Sequence, residues 1–362
     1  MTVKRKWNFN PGPGVLPLPA LEKAQAAILN YANTGMGILE ISHRSKEFLA
    51  VMEETKTGLK EVLSIPDDYE VIFCQGGANL QFSMIPMNLM GDSKAADYVD
   101  TGTWSQRAIK AAKLEGKPCV KASSEDKKYT YLPSLDNIKW SDDAAYVHIT
   151  SNNTIYGTQY RTFPETGDKP LVCDMSSDIL SHRLDVSKFG LIYAGAQKNM
   201  GPSGVTVVII RRDLAEKSPP ELPPMLSYKV FVEKDSAYNT PPTFSIFMVG
   251  LVLEWVKQKG GLEAVEKENG KKAELLYSTM DEDADFFRGP VEKTSRSYMN
   301  AVMRLPSEDL EKKFIAQAAE NNLVGLKGHR SVGGIRVSMY NAMSLEGIET
   351  LVGFMKDFRK KA

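Results

Sequence analysis

Neither sign of charge is in excess in this sequence. Lysines plus arginines and aspartates plus glutamates each number 45, so no overall field recruits nucleic acid or an anionic membrane, and any anion binding must be local. Cysteine is scarce: Cys74, Cys119 and Cys173 are odd in number, unevenly spaced, and each in or beside an apolar run. That pattern argues against a disulfide or zinc framework and reads as buried free thiols of a reducing compartment. No apolar run reaches the roughly 20 residues that span a bilayer; the longest, Phe244 to Val256, contains Glu254 and reads as a core helix. The first residues carry charge without an apolar run behind them, so no secretory signal is read there. Internal repeats and low-complexity tracts are missing, as are GxxxxGK[ST] and GxGxxG turns. A cytoplasmic protein of 362 residues and roughly two domains is expected.

What is present is an alternation of short β-rich runs and helical patterns. Val71–Cys74, Tyr98–Asp100, Pro118–Ala122, Tyr146–Thr150, Leu171–Asp174 and Leu191–Ala196 read as strands, with helices such as Lys46–Leu63 and Ser105–Leu114 between them. The pattern implies an α/β fold with a mostly parallel sheet covered on both faces. Val205–Ile210 follows Lys198 too closely for a crossover helix, so an antiparallel strand is expected there. Past Gly260-Gly261 the character changes to charged amphipathic helices with strands near Met299–Leu305 and Ile335–Met339. The expected division is a large domain, 16–260, and a smaller α+β domain of 261–362 with an N-terminal arm, 1–15.

Asp174 and Lys198 each stand where an apolar run stops, the edge at which open α/β sheets place their chemistry. A lysine opposite an aspartate is the minimal kit for holding pyridoxal phosphate, the aspartate pairing with the pyridinium nitrogen. Each has a plainer reading, a solvated lysine and a helix-capping aspartate. Gln75-Gly76-Gly77-Ala78-Asn79 opens a helix after a strand and suits an anion, although such turns are more often structural. Trp104, in a Gly/Thr/Ser turn, could stack on a planar ring instead of filling a core, and the polar tips of Ser151-Asn152-Asn153-Thr154 could bond a ring hydroxyl. His43-Arg44 and His329-Arg330, with Arg336 nearby, are two His-Arg pairs from opposite ends of the chain. Arginine forks match carboxylate and phosphate oxygens, and three anion receptors suit a doubly anionic substrate; surface arginine is the commoner alternative.

With NFNPGPGVLP, SHRSKEF, QGGANLQF, TGTWS, SNNTIYGT, CDMSSDILS, YAGAQKNMGPSG, YNTPPTFSIF and GHRSVGGIRVSMYNA on the page, the chain resembles the class-V, fold-type-I family of pyridoxal-phosphate transaminases nearly end to end. Within that family it resembles the members that pass the amino group of L-glutamate to 3-phosphohydroxypyruvate, yielding O-phospho-L-serine and 2-oxoglutarate for serine biosynthesis. The resemblance implies a seven-stranded large domain and pyridoxal 5'-phosphate as cofactor. It makes Lys198 the Schiff-base lysine, Asp174 the partner of the ring nitrogen, Trp104 a stacking residue and Thr154 a ligand of the phenolic oxygen. Ala78, Asn79 and Gln197 would hold the cofactor phosphate, joined by Asn239 and Thr240 from the other subunit of a homodimer. Arg336 would take the substrate α-carboxylate, and His43, Arg44, His329 and Arg330 its distal anion. The sequence departs from many relatives in carrying Ala78 where they have glycine and Asn153 where they have glutamate.

Overall fold

The computed structural model describes residues 5–362; the first four residues of the expected N-terminal arm lie outside the described residues. The strands in chain order are β1 (Trp7–Asn8), β2 (Tyr69–Cys74), β3 (Ala95–Asp100), β4 (Lys117–Ser123), β5 (Val147–Thr150), β6 (Asn152–Asn153) and β7 (Thr158–Gln159). They continue with β8 (Leu171–Asp174), β9 (Leu191–Gly195), β10 (Thr206–Arg211), β11 (Asn300–Met303), β12 (Leu323–Val324) and β13 (Ile335–Ser338). Seven of them form one sheet in the order β2-β10-β9-β8-β5-β3-β4. Strand β10 is antiparallel to both neighbours, as the short turn before it requires. The other pairs are parallel.

Every residue of β5, β8 and β9 is buried, because helices cover both faces and leave no polar side to alternate with. Val147, Ile149, Leu171, Cys173, Ile192 and Ala194 face one layer, which contains α1 (Leu18–Leu29), α2 (Lys46–Leu63) and the helix Thr243–Gln258. Ile72, Tyr98, Val172, Leu191 and Tyr193 face the other, with α3 (Gly77–Leu89) and α4 (Thr103–Ala112). Helix α2 starts where the Ser45 side chain accepts from the Phe48 amide, and its apolar stripe runs from Phe48 through Met52 and Leu59 to Leu63. Phe48 and Leu59 are fully buried, each contributing about 1.5–3 kcal/mol. No helix among the described residues is long and apolar enough to cross a membrane.

The cysteines depart from expectation at one position. Cys74 and Cys173 are buried, whereas Cys119 is exposed. It lies on β4, the edge strand of the sheet, where the run Pro118–Ala122 has lost much of its cover.

A separate apolar cluster joins Phe9 to the helix Gly261–Glu282, to β11 and β13, and to the helices Glu308–Glu320 and Leu345–Lys361. Strand β1 pairs in parallel with β12, Trp7 opposite Leu323. Strands β2, β3, β5, β8 and β9 all point the same way, so Gln75, Thr101, Ser151, Met175 and Ala196 leave the sheet along one edge.

Candidate active site

Asp174 is the last residue of β8 and is 4% exposed. One of its carboxylate oxygens accepts from the Ser176 amide at 2.9 Å. Burial pushes its pKa up, and the Ser176 hydrogen bonds and the charge of Lys198 oppose that push. Lys198 stands one strand over, in the turn after β9, with part of its surface still reached by solvent. Its Nζ donates to Thr154 Oγ1 at 2.7 Å and lies 5.4 Å from the centre of the Trp104 ring. Burial, aided by the charge of Arg336 and opposed by Asp174, brings the Lys198 amine down to about 8. A lysine so placed is a nucleophile within reach of neutral pH.

The polar tips after β5 have divided their tasks. Ser151 bonds Asp178; Asn152 bonds Ser177 and Asn300; Asn153 bonds Thr101 and Thr158. Those three tie loops together, and Thr154 is left to meet Lys198. The Thr154 carbonyl also accepts from Arg336 Nη1 at 3.4 Å, so strand β13 reaches the same spot.

Ala78 and Asn79 sit in the first turn of α3, a helix with no side-chain cap, whose free amides face outward. Gly76 precedes it with φ +81°, and a Cβ there would come within 2.6 Å of Leu80. Gln197 is partly buried beside Lys198, its side chain folded back over Gly195. Asn239 and Thr240 are exposed; the Thr240 carbonyl accepts from Gln75 Nε2 at 3.4 Å, and its hydroxyl shares a 3.3 Å hydrogen bond with His43 Nδ1. Arg44 and Arg330 are exposed. His329 Nδ1 bonds Ser331 Oγ at 2.7 Å. Within this chain the two His-Arg pairs thus keep separate company, one at Thr240 and the other beside Arg336 and Arg107.

Three features of the site were not read from the sequence. Arg107, one helical turn after Trp104, lies 5.0 Å over the Trp104 ring and donates to Asn79 Oδ1 at 3.3 Å. Its spacing on α4 could have flagged it. Burial and the charges of Arg336, Arg330 and Arg107 lower the pKa of His329, so the four residues mark one basic cluster. The second feature is the arm: the Gly14 amide donates to the Gln197 carbonyl at 2.7 Å. Gly12, at φ +142°, lies so close that a Cβ would meet Lys198 Cγ at 3.3 Å. The third is Asp178, buried near Asp174, with a pKa raised to about 7 chiefly by burial.

Residues 6–351 match the model of the aminotransferase class-V family. The chain belongs to the class-V aminotransferases. It is 56% identical over 359 residues to the phosphoserine aminotransferase of Geobacillus kaustophilus (strain HTA426), covering 99% of each chain. Among solved structures it resembles phosphoserine aminotransferase from Bacillus circulans subsp. alkalophilus, with a TM-score of 0.97, 52% identity and 99% of each chain covered. It also resembles the PLP-bound phosphoserine aminotransferase of Trichomonas vaginalis, with a TM-score of 0.91, 38% identity, and 97% of this chain and 100% of that one covered. The fold-type-I architecture implied by the sequence motifs is the one this class-V chain adopts.

Two buried polar atoms at the site have no partner among the described residues, Trp104 Nε1 and Arg336 Nε. Such atoms are rare unless a ligand completes them. Together with a reactive lysine, a buried carboxylate and a free helix N-terminus, they fit a planar cofactor bearing a phosphate.

Proposed function

We propose that this class-V aminotransferase is a phosphoserine transaminase, exchanging the amino group of L-glutamate for the keto oxygen of 3-phosphohydroxypyruvate by a ping-pong route. The observation that carries the reading is the basic group of His329, Arg330, Arg336 and Arg107, in which Arg336 bears on Lys198 and Arg107 lies over the Trp104 ring; it suits a substrate with anions at both ends. Pyridoxal 5'-phosphate, when bound, supplies the electron sink that makes the amino acid Cα–H acidic. Lys198 Nζ would take that α-proton and return it, as a base and then an acid, and its lowered pKa suits both tasks. Asp174 would hold the ring nitrogen protonated, Trp104 would stack, and Thr154 would bond the phenolic oxygen. Ala78, Asn79 and Gln197 would hold the phosphate, with Asn239 and Thr240 of a second subunit. Arg336 would fork the α-carboxylate. His43, Arg44, His329 and Arg330 would grip either a γ-carboxylate or a phosphate, since arginine stays charged while histidine adjusts its protonation.

The reading includes a cytoplasmic homodimer serving serine biosynthesis. Dimerisation is supported by large apolar residues left exposed, Met36, Leu39 and Leu49 close to His43 in sequence and Tyr238 close to Thr240. It also divides the chain into a cofactor lobe, 16–260, and a smaller lobe of 1–15 and 261–362, consistent with the separate apolar cluster around Phe9. The test is a purified yellow protein that bleaches with L-glutamate and regains its colour with 3-phosphohydroxypyruvate. Recovery with pyruvate or glyoxylate alone would refute the substrate assignment.

A further inference from the structure

His329 and Arg330 stand at the tip of a hairpin, Leu326 to Arg336, whose support lies outside the transamination chemistry. The Arg336 amide donates to the Leu326 carbonyl and the Gly328 amide to the Gly334 carbonyl, each at 2.9 Å. At the base of the hairpin, Arg336 reaches the Thr154 carbonyl, and Thr154 Oγ1 accepts from Lys198, so the hairpin starts at the site itself. At its tip, the His329 carbonyl accepts from the Val332 and Gly333 amides at 3.0 and 2.7 Å. Little packs against that tip. Arg330, Ser331 and Gly333 are exposed, and a cavity of about 660 Å³ lined by Tyr129, Tyr156, Val302 and Val332 lies beside it. Strand β11 pairs with the hairpin as far as Met303 opposite Ile335. One residue on, Arg304 passes so close to Gly334 that a Cβ there would come within 2.6 Å of Arg304 Cδ.

We propose that Arg304 is a strut that fixes this tip, and with it His329 and Arg330, in the conformation that grips the substrate's distal anion. The inference rests on the role given to those two residues above. Arg304 Nε donates to Glu311 Oε1 at 2.6 Å, and its Nη1 donates to the Val332 carbonyl at 3.1 Å. Among the described residues, the second is the one hydrogen bond that reaches residues 329–333 from outside the hairpin. Glu311 gives the strut a firm footing. It is 5% exposed and lies in the first turn of the helix Glu308–Glu320, where the helix N-terminus favours a carboxylate. The same Oε1 also accepts from the Leu305 amide at 3.2 Å. A planar guanidinium holds its donors in a rigid fork, so the place of Glu311 sets the place of the Val332 carbonyl. The tip is then ordered before substrate arrives, and binding is not weakened by the cost of ordering it. Arg304 acts through the tip and is a positioning residue.

The test is Arg304→Lys in the holoenzyme. A lysine still neutralises the buried Glu311, but its single ammonium cannot also hold Val332, so the fold survives and the strut is lost. A hydrogen bond from a charged donor is worth about a factor of ten. Amide exchange across residues 327–334, followed by mass spectrometry, should therefore quicken about tenfold. The KM for L-glutamate and for 3-phosphohydroxypyruvate should rise about tenfold, with kcat within about twofold of the parent. Glu311→Gln keeps an oxygen for Arg304 Nε and should stay within about threefold of the parent in both measurements, whereas Glu311→Leu should match Arg304→Lys. Where Glu311→Leu fails to fold, Arg304→Lys decides. Unchanged exchange in Arg304→Lys overturns the strut, and quickened exchange with unchanged KM overturns its part in positioning. Glu311→Gln behaving no better than Arg304→Lys overturns the footing on Glu311. A parent holoenzyme that does not accept 3-phosphohydroxypyruvate refutes the function proposed above, and the exchange comparison still decides the strut.

Discussion

The Lys198 amine should titrate near pH 8 in the cofactor-free protein, and its neighbours should move that value in opposite directions. At pH 7 an ordinary lysine at 10.5 is neutral in about 0.03% of molecules, and one at about 8 in roughly 10%, a gain of about 300-fold in free amine. Burial is the first cause, Asp174 raises the pKa and Arg336 lowers it. A unit charge several ångströms away at an effective dielectric of about 20 contributes on the order of 1–3 kcal/mol, or one to two pK units. Arg336→Leu should therefore push the amine back toward 10, and Asp174→Asn should bring it below 8. Competitive labelling with trace acetic anhydride across pH 6–11, read by mass spectrometry at residue 198 against surface lysines, gives the three midpoints. An unsubstituted protein titrating at 10 or above, or both variants shifting in the same direction, would refute the reasoning.

Removing an arginine from the basic cluster should separate the two substrates: Arg330→Leu raises KM for both, more for 3-phosphohydroxypyruvate than for L-glutamate, and steady-state kinetics with each substrate checks it. Lys272 is fully buried, its Nζ donating to the carbonyls of Met339, Tyr340 and Met343 at 2.9–3.1 Å. Lys272→Met strands three acceptors and should cost about 2–4 kcal/mol in urea unfolding. Burial also brings the folded-state pKa of Lys272 down to about 7, so unfolding takes up a proton between about pH 7 and 10.5, and its contribution to stability rises with pH across that window. With Cys119 exposed and the other thiols buried, a chromogenic disulfide reagent should titrate one thiol in the native protein and all three after denaturation.

Much of the fold was legible because a sheet buried on both faces writes itself as apolar runs. Asp174 and Lys198 were legible because a charged residue at the end of such a run has few structural excuses. What escaped the sequence depends on contacts between distant segments. The hydrogen bond between His148 and Tyr193 joins residues of nonadjacent strands, and nothing in VHIT or LIYAG announces it. Polarity alone made Ser151, Asn152, Asn153 and Thr154 equivalent, the family resemblance singled out Thr154, and the packing of Asp178, Ser177 and Thr101 against the first three gives the physical reason. Cys119 was misread because an edge strand and a central strand share the same composition.

The pairing of Trp7 with Leu323 has a temporal side. A chain emerging from the ribosome can assemble the seven-stranded sheet, with Asp174 and Lys198 already in place, while the arm that lies over Lys198 still lacks the strand that anchors it. The reactive amine would stand unroofed until β12 has been made. Amide exchange at Phe9, whose N–H donates to the Val324 carbonyl far from Lys198 in sequence, should therefore report whether β1 has docked on β12, and a nascent chain halted before residue 323 should label at Lys198 faster than the finished protein.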